Sequence, residues 1–316
     1  MPDPTSAEQK QEPSQAWFGF LLAFGAAILY TFANIAFRDS ARPGDLGWSI
    51  WVTAHRAVPA TIIAWSLIFW NHAHGRPAFP PRGLLLPLIA TGLVMQFGGN
   101  LMFQTALGLI GLAMTVPLTF AMILLSGATC SRFFLGEPLT YRSLIVMLVL
   151  MGAVTLLSFG AGAATKFILE DATPDAIFYG VGSAMLSGIG YGVAGVSIRR
   201  NVKNLPVSAT LVLISSTGLV CMGLLTFALN PLETILATTP GELLVMQLAG
   251  LFNGVAFFAI GNSYRFLRVN QVNMINTTQI AMASLAGVLA FSEPVTIWLV
   301  LGILLTMSGL IAMERK

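Results

Sequence analysis

The chain is poor in charge and in cysteine. Only 9% of its 316 residues are charged and 56% are hydrophobic, whereas an average soluble domain has about 25% charged residues. So few charges could not keep a soluble surface of this size from aggregating, which excludes an ordinary cytosolic enzyme and a disordered protein. The two cysteines, Cys130 and Cys221, lie in apolar runs and fit neither a disulfide framework nor a metal site. The remaining class is a polytopic membrane protein.

The chain contains many long apolar runs. A transmembrane helix needs about 20 apolar residues to cross roughly 30 Å of hydrocarbon, and ten such runs follow a polar N-terminal tail over residues 1–15. We therefore predict an all-α polytopic membrane protein with ten transmembrane helices and no extramembrane domain. The predicted spans are Ala16–Phe37, Trp48–Trp70, Gly83–Leu107, Gly111–Leu135, Thr140–Phe159, Ile177–Arg199, Pro206–Leu229, Glu242–Phe266, Val269–Phe291 and Thr296–Met313.

The basic residues predict the orientation of the spans. Lys and Arg concentrate in the cytoplasmic connections of membrane proteins. If the N-terminus is cytoplasmic, 12 of the 16 Lys and Arg residues fall in cytoplasmic segments and three in external ones, while Arg56 lies within a span. We therefore predict a multi-pass protein of the inner membrane with both termini in the cytoplasm.

A repeated motif divides the spans into two sets of five. Glu-Pro-apolar-Thr begins at Glu137 after the fourth span and again at Glu293 after the ninth, 156 residues later. An odd number of spans inverts the second repeat in the membrane, a plan found in many transporters. We predict a first repeat over 16–160, a connecting loop over 161–176 and a second repeat over 177–313. In each hairpin the proline fits the first turn of the next helix, and the glutamate is expected to face that helix's positive end.

These features together resemble the EamA branch of the drug/metabolite transporter superfamily. The matching features are the two sets of five spans, the repeated motif, Arg56 early in the second span, Ala106 and Leu107 ending the third, and Gly302 and Gly309 in the tenth. The resemblance covers nearly all of the apolar part of the chain. It implies a transporter of metabolites or drugs, commonly an exporter, with a cavity lined by the first, third, fourth, sixth, eighth and ninth spans.

Arg56 is the one basic residue predicted inside a span, next to His55. A guanidinium at that depth costs at least about 2.5 kcal/mol unless it faces protein or water, so it needs a partner. A structural role predicts Asp39, Asp45 or backbone carbonyls as that partner. The alternative is the carboxylate or phosphate of a substrate, which the planar guanidinium suits. We favour the structural role, because the resemblance includes this arginine whatever the substrate is.

Uncharged polar side chains recur at helical spacing inside the spans. Amides lie at Gln96, Asn100 and Gln104 in the third span and at Asn270, Asn273 and Asn276 in the ninth, with Gln279 at a similar depth. Amides in hydrocarbon need partners or water, so the two stripes favour a wet pathway over interhelical hydrogen bonds alone. Neutral donors and acceptors suit a small zwitterion or another polar metabolite. The predicted substrate-binding residues are Tyr30, Asn34, Arg56, Gln96, Asn100, Pro117, Tyr191, Asn253, Asn273, Asn276 and Gln279.

Two of these residues also have structural explanations. Pro117 is expected to kink or loosen the fourth span, either for packing or as the hinge of a gate. Tyr191 lies in the glycine-rich segment Gly188–Gly195. This segment contains a literal Gly-x-Gly-x-x-Gly, but no strand precedes it, so it is interpreted as a place of close helix contact and not as a dinucleotide site.

The chemistry that the sequence lacks limits its function. None of the 13 acidic residues lies mid-span, which disfavours proton coupling through a buried carboxylate and favours a facilitator or exchanger, unless His55 titrates. Metal-binding, phosphate-loop and nucleophile motifs are absent, as are basic clusters that would bind nucleic acid. We therefore predict no cofactor, no metal, no nucleic-acid partner and no enzymatic activity.

The expected partners are a small-molecule substrate and the lipid bilayer, and a homodimer is left open. One alternative is a polytopic membrane enzyme or flippase acting on a lipid-linked substrate. Another is a non-catalytic scaffold or channel subunit, which would not require an inverted repeat with polar residues at the midplane.

Overall fold

The structure, a computed structural model, describes residues 13–136, 141–168, 173–202 and 205–314. Helices dominate these four ranges, and no strand occurs within them. The helices are α1 (Pro13–Asp39), α2 (Leu46–Ala73), α3 (Arg82–Leu93), α4 (Met102–Leu135), α5 (Tyr141–Ile168), α6 (Pro174–Val202), α7 (Val207–Leu229), α8 (Leu232–Leu236), α9 (Pro240–Phe266), α10 (Val269–Asn276), α11 (Thr278–Phe291) and α12 (Ile297–Glu314). A π-helical segment over Val94–Leu101 joins α3 to α4.

Seven helical segments of the described chain are long and apolar enough to cross a membrane. They are Gln15–Asp39, Leu46–Ala73, Arg82–Leu135, Pro174–Val202, Val207–Leu229, Pro240–Phe266 and Gln271–Phe291. Large apolar side chains such as Phe69 and Leu289 face outward from these helices, as expected where lipid replaces water. The chain is therefore an all-helical, multi-pass membrane protein.

The segment Arg82–Leu135 is broken at Gly111. This glycine has φ 73° and ψ 177°, a backbone conformation that residues with a Cβ rarely adopt. The break coincides with the predicted start of the fourth span at Gly111, whereas the backbone stays helical at Pro117, where a kink was predicted. Pro117 cannot donate a hydrogen bond to the carbonyl of Ala113, but Ser284 Oγ of α11 donates to that oxygen at 3.4 Å. This side-chain bond replaces the missing backbone bond.

The connection between the two halves is shorter than the predicted loop over 161–176. α5 runs to Ile168 and α6 begins at Pro174, so most of that loop is helical. Three alanines between residues 161 and 164 favour continuation of the helix beyond the apolar run. α1 likewise begins at Pro13, inside the predicted tail, because proline fits the first turn of a helix.

Glycines allow two central helices to approach each other closely. α6 packs along α4, and a Cβ added at Gly188 would overlap the carbonyl oxygen of Thr119. A Cβ added at Gly192 would lie 3.0 Å from the backbone nitrogen of Gly127. The prediction of close helix contact at the glycine-rich segment is therefore confirmed. Around this centre, α1 packs against α9, α2 against α7 and α5 against α12.

Candidate functional site: a polar cavity between the helices

Eight of the eleven predicted binding residues line one cavity inside the bundle. The cavity has a volume of about 100 Å³, and its wall is formed by α1, α2, the π-helical segment, α4, α6, α9, α10 and α11. These are the helices that the family resemblance implies, with α2 added through Arg56. The eight residues are Tyr30, Asn34, Arg56, Tyr191, Asn253, Asn273, Asn276 and Gln279.

Three amides form a hydrogen-bonded row on one side of the cavity. Asn34 Nδ2 donates to Gln279 Oε1 at 3.4 Å, and Gln279 Nε2 donates to Asn276 Oδ1 at 2.5 Å. Asn276 ends α10 and Gln279 lies in the first turn of α11, so the interruption at Thr277 brings both amides to the cavity. Interhelical hydrogen bonds and a polar cavity therefore occur together here. The side chain of Asn270 lies outside the described part of the chain.

Arg56 is buried in the cavity wall, with 6% of its surface exposed. Its Nη2 donates to Asn253 Oδ1 at 2.7 Å. Within the described residues it forms no ion pair with Asp39 or Asp45, the partners expected from a structural role. Asp45 instead caps α2 and accepts a hydrogen bond from the backbone nitrogen of Trp48 at 2.8 Å. The prediction of Asp39 or Asp45 is therefore wrong, and the described chain also shows no hydrogen bond from Arg56 to a backbone carbonyl, the third predicted partner.

Gln96 and Asn100 lie behind the cavity wall. Tyr191 OH donates to Asn100 Oδ1 at 2.8 Å, and Asn100 Nδ2 donates to Gln96 Oε1 at 2.7 Å. Both amides are buried, so they orient Tyr191, which faces the cavity. Pro117, the third predicted residue outside the lining, is buried within α4.

Aromatic and apolar side chains complete the wall and were not predicted. They include Met95, Phe103, Phe120, Ile123, Phe257, Ile260 and Tyr264. Tyr264 OH donates to Asn273 Oδ1 at 3.4 Å. Its signal in the sequence was a tyrosine inside a span, the same signal that singled out Tyr30 and Tyr191. The phenylalanines carry no such signal, because the chain has 21 of them and an aromatic ring within an apolar run is not distinctive.

The side chain of Glu293, which follows α11, contacts both α1 and α4 at one end of the bundle. Its side chain is 1% exposed, and Oε1 pairs with Arg38 Nε at 2.9 Å. The two carboxylate oxygens accept hydrogen bonds from the backbone nitrogens of Leu112 at 2.8 Å and Ala113 at 2.7 Å. These nitrogens begin the part of α4 that follows the break at Gly111. The carboxylate therefore satisfies orphan donors at a helix N-terminus and faces its positive dipole.

The helix that Glu293 caps is not the predicted one. The sequence suggested the following helix, α12, but there Thr296 Oγ1 accepts the hydrogen bond from the backbone nitrogen of Leu299, at 3.1 Å. The prediction is wrong because sequence proximity does not say which helix end lies nearest in space. Glu137, the corresponding residue of the first motif, lies outside the described residues.

The cavity is positively charged. Of the described residues that line it, Arg56 is the one with a charged side chain. The two ion pairs found within the described ranges, Arg38 with Glu293 and Arg42 with Glu242, lie elsewhere. Those ranges also contain no group of three or more His, Cys, Asp or Glu side chains that could hold a metal ion. The wall therefore offers neutral hydrogen-bonding groups, aromatic surfaces and a single cation.

Fold and site together define a multi-pass helical membrane protein with a polar internal cavity. The model of the EamA-like transporter family matches residues 178–314. The second half of the chain therefore matches the EamA domain, which is found in a family of membrane transporters within the drug/metabolite transporter superfamily.

Comparison with solved structures agrees at the level of the fold. One of them, described only as the crystal structure of a protein, is 18% identical and superposes with a TM-score of 0.63. The match covers 94% of this chain and 97% of the other, so the two share a fold. No curated protein matches the chain.

Proposed function

We propose that the protein is a secondary transporter that moves a small polar or amphipathic metabolite by exposing the cavity to each side of the membrane in turn. The observation that carries this proposal is the cavity itself, because both halves of the chain build it. Tyr30, Asn34 and Arg56 come from the first half, and Tyr191, Asn253 and Gln279 are among those from the second. A shift of one half against the other would therefore change access to the site.

We further propose ten transmembrane spans in two inverted repeats of five. The segment Arg82–Leu135 has 54 residues, and as one helix it would reach about 80 Å, against roughly 30 Å of hydrocarbon. The break at Gly111 divides it into two spans of suitable length. At the same offset of 156 residues that relates the two motifs lies Leu267, where α9 ends in an extended conformation before α10. The third and fourth spans thus join as the eighth and ninth do.

The packing of corresponding helices supports the same plan. In two repeats related by a pseudo-twofold axis, equivalent helices near the axis contact each other. α2 packs against α7 and α5 against α12, which are the second and fifth spans of each repeat. The contact of α1 with α9 has its counterpart in the contact of α6 with α4 and with the π-helical segment.

For orientation, the distribution of Lys and Arg supports cytoplasmic termini, and we propose the inner membrane as the location. Export is the direction that the family resemblance favours. The described residues lining the cavity include no Asp or Glu, so no carboxylate there can carry a proton with the solute. His55 also lies outside the lining. A facilitator or an exchanger is therefore the mechanism we propose.

Counterflow in proteoliposomes tests this function. Purified protein is reconstituted with a pooled metabolite panel inside, and uptake of each labelled member is followed with and without an imposed proton gradient. We expect saturable counterflow of at least one polar solute and no accumulation above equilibrium when the gradient is applied. Accumulation driven by the gradient would contradict the facilitator mechanism. Movement of a lipid-linked compound without flux of any soluble solute would favour the flippase or enzyme alternative.

A further inference from the structure

Arg56 has hydrogen-bond donors that no described residue uses. Its Nε and Nη1 atoms are buried and donate to no partner in the described chain, and Nη2 donates to Asn253. The guanidinium carbon lies 4.6 Å from the ring centroid of Phe37, 5.8 Å from that of Phe103 and 5.9 Å from that of Tyr191. Aromatic rings and one amide thus hold the guanidinium in place, and two of its buried nitrogens have no hydrogen-bond acceptor among the described residues.

The charge of Arg56 is also uncompensated. A guanidinium does not lose its proton in proteins, so burial cannot neutralise it as it can neutralise a lysine. Ring faces and a neutral amide stabilise the cation without balancing its charge. Arg38, a second arginine with little exposure, has the carboxylate of Glu293 at 2.9 Å. Arg56 has no such partner among the described residues, although it forms part of the cavity wall.

We propose that Arg56 binds an anionic oxyacid group of the transported solute, a carboxylate or a phosphate. The planar guanidinium can give two parallel hydrogen bonds to either group, from Nε or Nη1 together with the second hydrogen of Nη2. Asn253 holds the guanidinium in position, while the neutral groups of Asn34, Asn276 and Gln279 remain for the uncharged part of the solute. The substrate is therefore a small organic anion or a zwitterion. This inference rests on the proposed transport function and names the class of its substrate.

The first test compares matched acid and neutral compounds on the purified full-length protein. One arm pairs amino acids and short carboxylic acids with their amides, and the other pairs sugar phosphates and glycerol phosphate with the free alcohols. Binding is measured by thermal stabilisation in detergent. We expect the acids of one arm to bind better than their neutral counterparts, and that arm identifies the group. If the acids of neither arm surpass their counterparts, the proposal fails.

Substitution of Arg56 tests whether the preference for acids over their neutral counterparts depends on this side chain. Arg56→Gln should weaken binding of the preferred acid by about 10- to 100-fold, the effect of losing hydrogen bonds between charged groups, and leave the neutral counterpart unchanged. Arg200→Gln, which removes an exposed arginine of α6, serves as the control and should leave both compounds unchanged. Equal loss of both compounds in folded Arg56→Gln would overturn the proposal.

A second variant keeps the test decisive if Arg56→Gln does not fold. Asn253→Asp places a carboxylate on Nη2 of Arg56, where it would neutralise the charge that is proposed to attract the solute's anionic group. We expect higher thermal stability together with loss of the acid preference. Asn262→Asp adds the same group farther along α9, outside the cavity lining, and should keep the preference. An unchanged acid preference in Asn253→Asp would show that Arg56 has only a structural role.

Flux measurements separate this inference from the transport function. If proteoliposomes transport neutral solutes but no acid, the transporter proposal stands and the anion site is refuted. If acids bind through Arg56 but no solute crosses the membrane, the anion site stands and the transport function is refuted. Counterflow of an acid that Arg56→Gln abolishes supports both.

Discussion

Asn100, which does not line the cavity, orients Tyr191, which does. Its hydroxyl donates to Asn100, which in turn donates to Gln96. A Cβ added at Gly99 would lie 2.7 Å from the Tyr191 ring, so the π-helical segment supplies both the space for the ring and the acceptor for its hydroxyl. Gln96 and Asn100 thus affect the cavity through the orientation of Tyr191 and not by direct contact with a solute.

We predict that Asn100→Leu destabilises the protein by about 1–3 kcal/mol, because the partly buried Tyr191 hydroxyl loses its acceptor. In the Tyr191→Phe background the same change should cost clearly less, since no hydroxyl is left unpaired. Thermal unfolding of the four proteins in detergent forms a double-mutant cycle. Additive effects of the two substitutions would show that the observed hydrogen bond contributes nothing to stability.

At the scale of the elements, one carboxylate links parts of the chain that are far apart in sequence. Glu293 follows α11, Arg38 lies in the last turn of α1, and Leu112 and Ala113 begin the second part of α4. Gly287 makes room for this arrangement, since a Cβ there would lie 2.6 Å from Glu293 Oε2. The two halves of the chain are thus joined at this end of the bundle.

We predict that Glu293→Gln lowers stability by roughly 3 kcal/mol, as is typical when one partner of a buried ion pair is removed. The matched control is Glu242→Gln, which breaks the exposed pair with Arg42 and should cost at most about 1 kcal/mol. The side chains of that pair are 43% and 35% exposed, against 12% and 1% for Arg38 and Glu293. Melting temperatures in detergent provide the comparison. Similar losses in both variants would argue against a special role of the buried pair.

At the scale of the whole molecule, the proposed topology makes a prediction for each connection. In a background with Cys130→Ala and Cys221→Ala, single cysteines are placed at Pro43 between α1 and α2 and at His74 after α2, both exposed. An impermeant maleimide should label Pro43→Cys in intact spheroplasts and His74→Cys only after lysis. The reverse pattern would place the N-terminus outside.

The sequence predicted much of this molecule, and its failures have a common physical cause. Long apolar runs and amides at helical spacing are local patterns, so the helical membrane fold and cavity-lining residues such as Asn273 and Asn276 could be predicted directly. The partners of Arg56 and Glu293 depend on which helices meet in space, and both were predicted wrongly from sequence neighbours. The break at Gly111 falls where the predicted fourth span begins, because a short gap between two apolar runs is also a local pattern, and positive φ is possible for glycine at little cost.

The polarity of α10 also bears on how the protein reaches the membrane. Four of its eight residues are amides, so this segment gains little from entering hydrocarbon alone. Asn273 accepts a hydrogen bond from Tyr264 of α9, and Asn276 accepts one from Gln279 of α11, which in turn accepts one from Asn34 of α1. Insertion of α10 and α11 therefore depends on helices synthesised earlier. The residues that make the cavity polar thereby impose an order on the assembly of the bundle.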